Sequence, residues 1–371
     1  MNAVPSSDVV VIGAGLIGLS CAWRATQAGL TVTVLDDSPE RAASRTAAGM
    51  LAPVSELQYG ELALLRLGLL AAARYGDFVA ELTEITGTDV DYRQCGTISV
   101  AFDNDDHRAL SKIFEYVALQ QVGVQRLRGQ QCREKEPLLA PSVRGGWLVE
   151  SDHQVDPRKL LDAVGTAAKL QGVRVLLNRA TRLLTNGERV RGVQMASGEI
   201  AAAPKVVVAA GSWSANAIAG VPPDARPPVR PVKGQLLRLR AGTQTPFLRH
   251  TVRGLVGGVP VYAVPRGDGK LILGATSEEQ GYDRRVTLES IYHLVRYARL
   301  LIPGITELEL SEISTGLRPG SPDNAPIIGE LGPKGLIWAT GHYRNGALLA
   351  DVTGAGVSRL LTEGIVPDVL L

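Results

Sequence analysis

The chain has 371 residues, of which 45% are hydrophobic and 20% charged, and a formal net charge of +2. This length exceeds a single compact core, so two domains are expected, and the near-neutral balance gives no basis for nucleic acid or an anionic membrane as the main partner. Three scattered cysteines (Cys21, Cys95, Cys132) form neither a disulfide framework nor a zinc set, and no metal is expected. The densest basic stretch (Arg126, Arg128, Arg133, Lys135) is interrupted by Glu134 and Glu136 and reads as a solvated face. The chain opens without a secretory pattern, and the leucine-rich region 61–82 is broken by Arg66, Arg74 and Asp77. A cytoplasmic enzyme without a membrane span is expected.

In chain order, residues 8–12 form a short β-branched run, followed by "GAGLIG", a helical stretch to Ala28, a stop at Gly29 and a second strand in "TVTVLD". This strand–turn–helix–strand unit implies a parallel sheet. Further strands are expected at 97–102, 174–177, 205–210, 235–240, 262–265, 271–274 and 336–340. Helices are expected at 61–84, 106–122, 157–171, 288–301 and 346–362. Asp156 can cap the third of these while Pro157 takes the first turn, where its missing N–H costs nothing. The Pro-rich stretch 221–231 is expected to carry the chain between two domains. Nucleotide-type strands thus sit at both ends and in the middle, with hairpin-rich segments inserted.

Gly13, Gly15 and Gly18 give G-x-G-x-x-G spacing between strand and helix. The first glycine permits the turn, the second admits a pyrophosphate, and the third lets helix and strand pack closely. The helix N-terminus then faces the phosphates, and Asp36 stands where an acid accepts from a ribose hydroxyl. The motif fits NAD or FAD equally. "RTAAGMLAP" follows about a dozen residues after Asp36, and Ala47, Ala48 and Gly49 would let main chain approach an isoalloxazine ring.

Together "VVVIGAGLIGLS", "AAGMLAP", "VKGQ", "VYAVPR…LILGAT", "GLRPGSPDNAPIIG" and "ATGHYRNGALLA" resemble the glycine oxidases of thiamine biosynthesis, within the D-amino-acid oxidase family of FAD-dependent amine oxidoreductases. The resemblance implies an α/β fold: a Rossmann-like FAD-binding domain (1–84, 155–228, 315–371) interleaved with an antiparallel-sheet α+β substrate domain (85–154, 229–314). It implies FAD contacts at Leu16 and Ile17, at Asp36 and Asp37, and along Ala43, Ser44, Ala48, Gly49 and Met50. Ala180, Gly211 and the run His342, Tyr343, Arg344, Asn345, Gly346, Ala347 and Leu348 complete them. Gly346 is expected to open a helix whose positive end faces the flavin. With no cysteine after Cys132, FAD is expected to be non-covalent.

The resemblance also assigns Arg318, in "GLRPGSP", to the substrate carboxylate, a role for which a guanidinium's paired donors are suited. Tyr262 and Arg344 would stand beside it, although Arg344 could instead close a structural salt bridge. Ser277 occupies a position where some relatives carry methionine, which would widen the pocket. Asp351 replaces a usual proline. No protein base is assigned: hydride transfer to flavin needs orientation and a neutral amine, and His342 reads as a flavin contact. The expected reaction is oxidation of glycine to the imine and glyoxylate, with ammonia and hydrogen peroxide, molecular oxygen as acceptor, in a homo-oligomer. The alternatives are a sarcosine, D-amino-acid or proline oxidase or dehydrogenase of the same fold, an NAD dehydrogenase, or a non-catalytic flavoprotein.

Overall fold

The computed structural model describes residues 5–242 and 246–365. Val9–Ile12 is buried along its whole length, as a central parallel strand covered on both faces must be. It lies between Val32–Leu35 and Lys205–Val208 in a six-stranded sheet completed by Arg174–Leu176, Leu336–Thr340 and Ile327–Glu330. Every pairing in this sheet is parallel except the last. One face packs helices Leu16–Gln27, Pro157–Leu170 and Ala350–Glu363, in a core that includes Trp23, Phe78 and Leu160. Gly354 allows the last helix to close on the first: an added Cβ would lie 2.7 Å from the Ser20 carbonyl. The other face packs a three-stranded sheet of Ala180–Asn186, Arg189–Met195 and Ile200–Ala202, which the sequence reading missed.

The second, eight-stranded sheet runs Glu309–Gly320, Arg230–Arg240, Lys270–Gly274, Val259–Pro265, Thr251–Val256, Thr97–Ala101, Gly145–Val149 and Gln125–Arg128. Helix Leu288–Leu301 covers one face through Leu294, Ala298 and Leu301. All of its pairings are antiparallel except Thr251–Val256 with Thr97–Ala101. The expected linker 221–231 ends inside the long strand Arg230–Arg240, and residues 314 and 315, where the two domains were divided, lie within Glu309–Gly320. The basic stretch is an edge strand followed by helix Gly129–Lys135, with Arg126 and Arg128 exposed.

Asp156 accepts from the Arg158 N–H at 2.9 Å with Pro157 in the first turn, as expected. The helix expected at 106–122 is Asn104–Ala118, because Asp103 accepts from the N–H groups of Asp105 and Asp106 and caps it earlier. Gly346 does not open a helix. Residues 346–349 form turns, and the helix begins at Ala350. Among the described residues no helix is long and apolar enough to cross a membrane.

Candidate cofactor and substrate cleft

A cleft of about 690 Å3 runs between the two sheets. At one end lies the glycine loop. Gly13 has φ +108° and packs on Ala209, and an added Cβ on Gly18 would overlap the Gly13 carbonyl. Gly15 caps helix Leu16–Gln27 without a side-chain partner, and that helix has no acid in its first turn. Its terminal N–H groups and positive end are therefore available to an anion. Asp36 accepts from the Ala14 N–H at 2.7 Å and from the Ser38 N–H at 2.8 Å, which fixes the loop to the end of the second strand.

The middle of the cleft is the Ala47–Met50 segment. Gly49 has φ +77°, and an added Cβ would overlap the Val155 carbonyl. Its smallness thus has a reason in the protein's own packing, apart from any approach of a ring. Arg266, fully buried, donates to the carbonyls of Ala48 and Val155 and to Gln154 Oε1, and so holds this loop from below. Burial lowers its pKa.

At the far end Arg318 projects from Glu309–Gly320. Its Nη1 donates to the Thr276 carbonyl at 3.1 Å and, more loosely, to Lys233 O at 3.5 Å. Among the described residues no carboxylate lies within salt-bridge distance of it. Gly234, on the paired strand, leaves room for the guanidinium: an added Cβ would lie 2.5 Å from Nη2 and 2.6 Å from Cζ. Burial pushes the Tyr262 phenol up, opposed by the neighbouring Arg318 cation. The strand then continues into direct contact with the C-terminal motif, since Tyr343 N–H donates to Pro319 O at 2.9 Å and Gly320 bridges His342.

Gly13, Gly15, Leu16, Ile17, Asp36, Asp37, Ala43, Ser44, Ala47, Ala48, Gly49, Met50, Ala180 and Gly211 all line this one cleft, with His342, Tyr343, Arg344, Gly346 and Ala347. Tyr262, Ser277 and Arg318 do so as well, Ser277 at an exposed position. Three expected residues do not. Gly18 is consumed by packing on Gly13, and Asn345 and Leu348 face a small space behind, against Pro53 and Gly68.

Arg344 lines the cleft but donates to Glu61 at 2.8 and 3.1 Å, so it closes the structural salt bridge and its charge is already matched. His342 is buried, pairs through Nε2 with Thr353 Oγ1 at 2.9 Å, and burial lowers its pKa to about 3. It is a neutral ring at physiological pH and a poor proton acceptor. Asp351 receives Arg24 at 2.6 Å and Arg74 at 3.1 Å, so the departure from proline is built into an ionic network. The sequence reading missed Arg41, Arg179, Trp213, Glu56 and Arg253, which also line the cleft. The last two pair at 2.7 Å. No motif marked them; Arg253 is placed by its strand and the other four by turns and connecting segments. Among the described residues no group of three or more metal-ligating side chains occurs.

The family model described as FAD dependent oxidoreductase matches residues 8–360. The chain belongs to this FAD-dependent oxidoreductase family. It is similar to the bifunctional protein ThiO/ThiG of Synechocystis sp., 36% identical over 96% of this chain but only 52% of that protein. The chain thus spans about half the length of these bifunctional relatives. It is also similar to the glycine oxidase of Geobacillus kaustophilus, 32% identical over 95% of this chain and 92% of that one. The crystal structure of glycine oxidase from that organism superposes with a TM-score of 0.89, covering 97% and 95% of the two chains. The mixed α/β fold with parallel and antiparallel sheets is that of the glycine oxidase structures.

The residues present fit the family's dinucleotide. The glycine loop leaves an open, uncapped helix N-terminus, the cleft runs unbroken from there to Arg318, and a methyl group on Gly15 would meet only Ala42 Cβ, at 3.7 Å.

Proposed function

We propose that this FAD-dependent enzyme oxidises a small amino acid, glycine foremost, to the corresponding imine, which hydrolyses to the keto acid and ammonia while oxygen is reduced to hydrogen peroxide. The observation that carries the reading is Arg318: a cation with no acidic partner among the described residues, half-buried at the end of the cleft beside the Tyr262 hydroxyl. A guanidinium so placed accommodates a carboxylate through two charge-assisted hydrogen bonds.

Bound FAD supplies the two-electron acceptor; everything else is positioning by the chain. The free N–H groups after Gly15 would hold the pyrophosphate, and Asp36 the ribose. Arg318 would hold the carboxylate and Tyr262 would share it, turning the substrate's Cα–H toward the Ala47–Met50 side of the cleft. Thr276 O and Lys233 O keep the guanidinium from swinging away. A neutral His342 agrees with a mechanism in which no side chain removes the Cα proton. No cysteine lines the cleft, which favours FAD held without a covalent bond. Exposed Ser277 leaves space for substituents larger than hydrogen, so sarcosine and small D-amino acids are the next candidates. A role in forming the thiazole of thiamine is consistent with the names of the relatives.

The test is a panel of amino acids on purified protein, following flavin bleaching without air and peroxide in air. Bleaching by glycine, sarcosine or a small D-amino acid is expected. Failure of every amino acid to reduce the flavin would overturn the reading.

A further inference from the structure

We propose that Glu56, held by Arg253, is the docking group for the substrate's ammonium, so that a zwitterion spans Glu56 and Arg318. The proposal rests on the amino-acid reading above and adds a recognition element for the nitrogen end. Three acids line the cleft: Asp36, Asp37 and Glu56. Asp36 is bonded to the glycine loop and Asp37 is its chain neighbour, so Glu56 is the acid of the substrate end.

The sheet brings Glu56 there indirectly. Arg253 stands directly opposite Tyr262 on the neighbouring strand, and residues so paired project from the same face. Arg253 Nη1 donates to Glu56 Oε1 at 2.7 Å and lies 3.7 Å from the Met50 sulfur. The Glu56 backbone is fixed as well, its N–H donating to Ala52 O and its carbonyl accepting from Arg344 at 3.2 Å. One carboxylate oxygen is thereby occupied. The other, Oε2, has no hydrogen-bond partner among the described residues, in a side chain that is 11% exposed and lines the cleft.

The Tyr262 phenol senses Arg318, Glu56 and Arg253 together, so all three lie within electrostatic reach of one hydroxyl. Arg253 half-satisfies the acid and keeps it aimed. An ammonium can then take the free oxygen without leaving the carboxylate's charge unmatched when the site is empty, and it gives one N–H proton to solvent to become the neutral amine that hydride transfer requires. A ligand with a carboxylate and no amine would use Arg318 and Tyr262 without Glu56.

The test compares glycine with acetate on the FAD holoenzyme. Acetate binding is read from its perturbation of the flavin spectrum, and glycine binding from saturation of the anaerobic bleaching rate. If glycine does not bleach the flavin, the oxidase reading fails, and glycine becomes a simple ligand titrated like acetate, so the comparison survives. A charge-assisted hydrogen bond contributes about 1.5–3 kcal/mol, which is roughly 10- to 150-fold in affinity. Glu56→Gln is expected to weaken glycine by about that factor and acetate by less than about twofold. Glu56→Asp, which keeps the charge, is expected to recover part of the loss and serves if the amide variant does not fold. Equal weakening of both ligands, or unchanged glycine binding, or no binding of glycine to the unaltered protein, would overturn the proposal.

Discussion

Gly234→Ala separates the carboxylate anchor from the stability of the sheet that carries it. Gly234 lies in strand Arg230–Arg240 and has no positive φ, so alanine suits the backbone there. The new Cβ would lie 2.5–2.6 Å from Nη2 and Cζ of Arg318, where ordinary contacts begin near 3.4 Å. The guanidinium must therefore retreat by about 1 Å, which a flexible side chain does at little cost to folding. For two parallel hydrogen bonds to a carboxylate the same shift is severe. Losing one charge-assisted bond costs about 1.5–3 kcal/mol, so kcat/KM for the amino acid should fall roughly 10- to 150-fold. The loss should appear mainly in KM, while the melting temperature moves by no more than a few degrees. Initial rates of peroxide formation and a thermal melt of the same preparation measure both. Arg318→Ala should cost more, and adding Gly234→Ala to it should cost nothing further, because the glycine acts only through the guanidinium. An unchanged kcat/KM in Gly234→Ala, or full additivity in the double variant, would refute this account.

Gly18→Ala places a methyl group against the Gly13 carbonyl and should abolish flavin retention, measured as the absorbance ratio at 450 and 280 nm after gel filtration. Asp351→Ala strands Arg24, whose side chain is 14% exposed and keeps Glu81 as its one acidic partner among the described residues, and should cost about 2–4 kcal/mol in denaturant titration without changing KM. His342 makes a pH prediction. Its folded pKa lies below the ordinary value, so the unfolded chain binds the proton first and stability falls as pH drops below about 6.5 toward 3. Wild type should therefore lose about 1.4 kcal/mol per pH unit relative to His342→Gln between pH 6 and 4.5; parallel stability curves would contradict the buried, neutral ring. Glu312, lowered to about 2 by Arg158, adds its own loss only below about pH 4.5 and is common to both proteins.

The glycine loop and the strands and helix beside it were legible because their signals are local. Gly13, Gly15 and Gly18 stand next to one another in sequence and in space, and the Val9–Ile12 run has no reading other than a covered strand. The substrate half was less so. Glu309–Gly320 begins with three exposed residues and ends in "RPG", which reads as a loop, yet it pairs along its length with Arg230–Arg240, with one bulge at Ser311. Gly145–Val149 and Thr251–Val256 carry glycines that weaken a strand pattern, although Gly146 is required by the Ser99 carbonyl above it. Arg344 and Arg318 look alike in sequence, one two residues before Gly346 and the other next to Pro319. What distinguishes them is Glu61, 283 positions from Arg344, which no local pattern could supply. The same holds for Glu56 and Arg253, 197 positions apart. Arg266, one position beyond the strand expected at 262–265, is a buried cation under the cleft floor.

The strand order of the parallel sheet has a consequence for synthesis. Val9–Ile12 waits for Lys205–Val208, which in turn waits for Leu336–Thr340, and Arg24 finds Asp351 327 positions later. At ribosomal speeds of about 5–20 residues per second, the edge of the first strand that faces away from Val32–Leu35 stays open for roughly 10–40 seconds before Lys205–Val208 emerges. Its four consecutive β-branched residues are then available to chaperones or to a neighbouring chain, and yield in the cell should depend on how quickly the last third emerges.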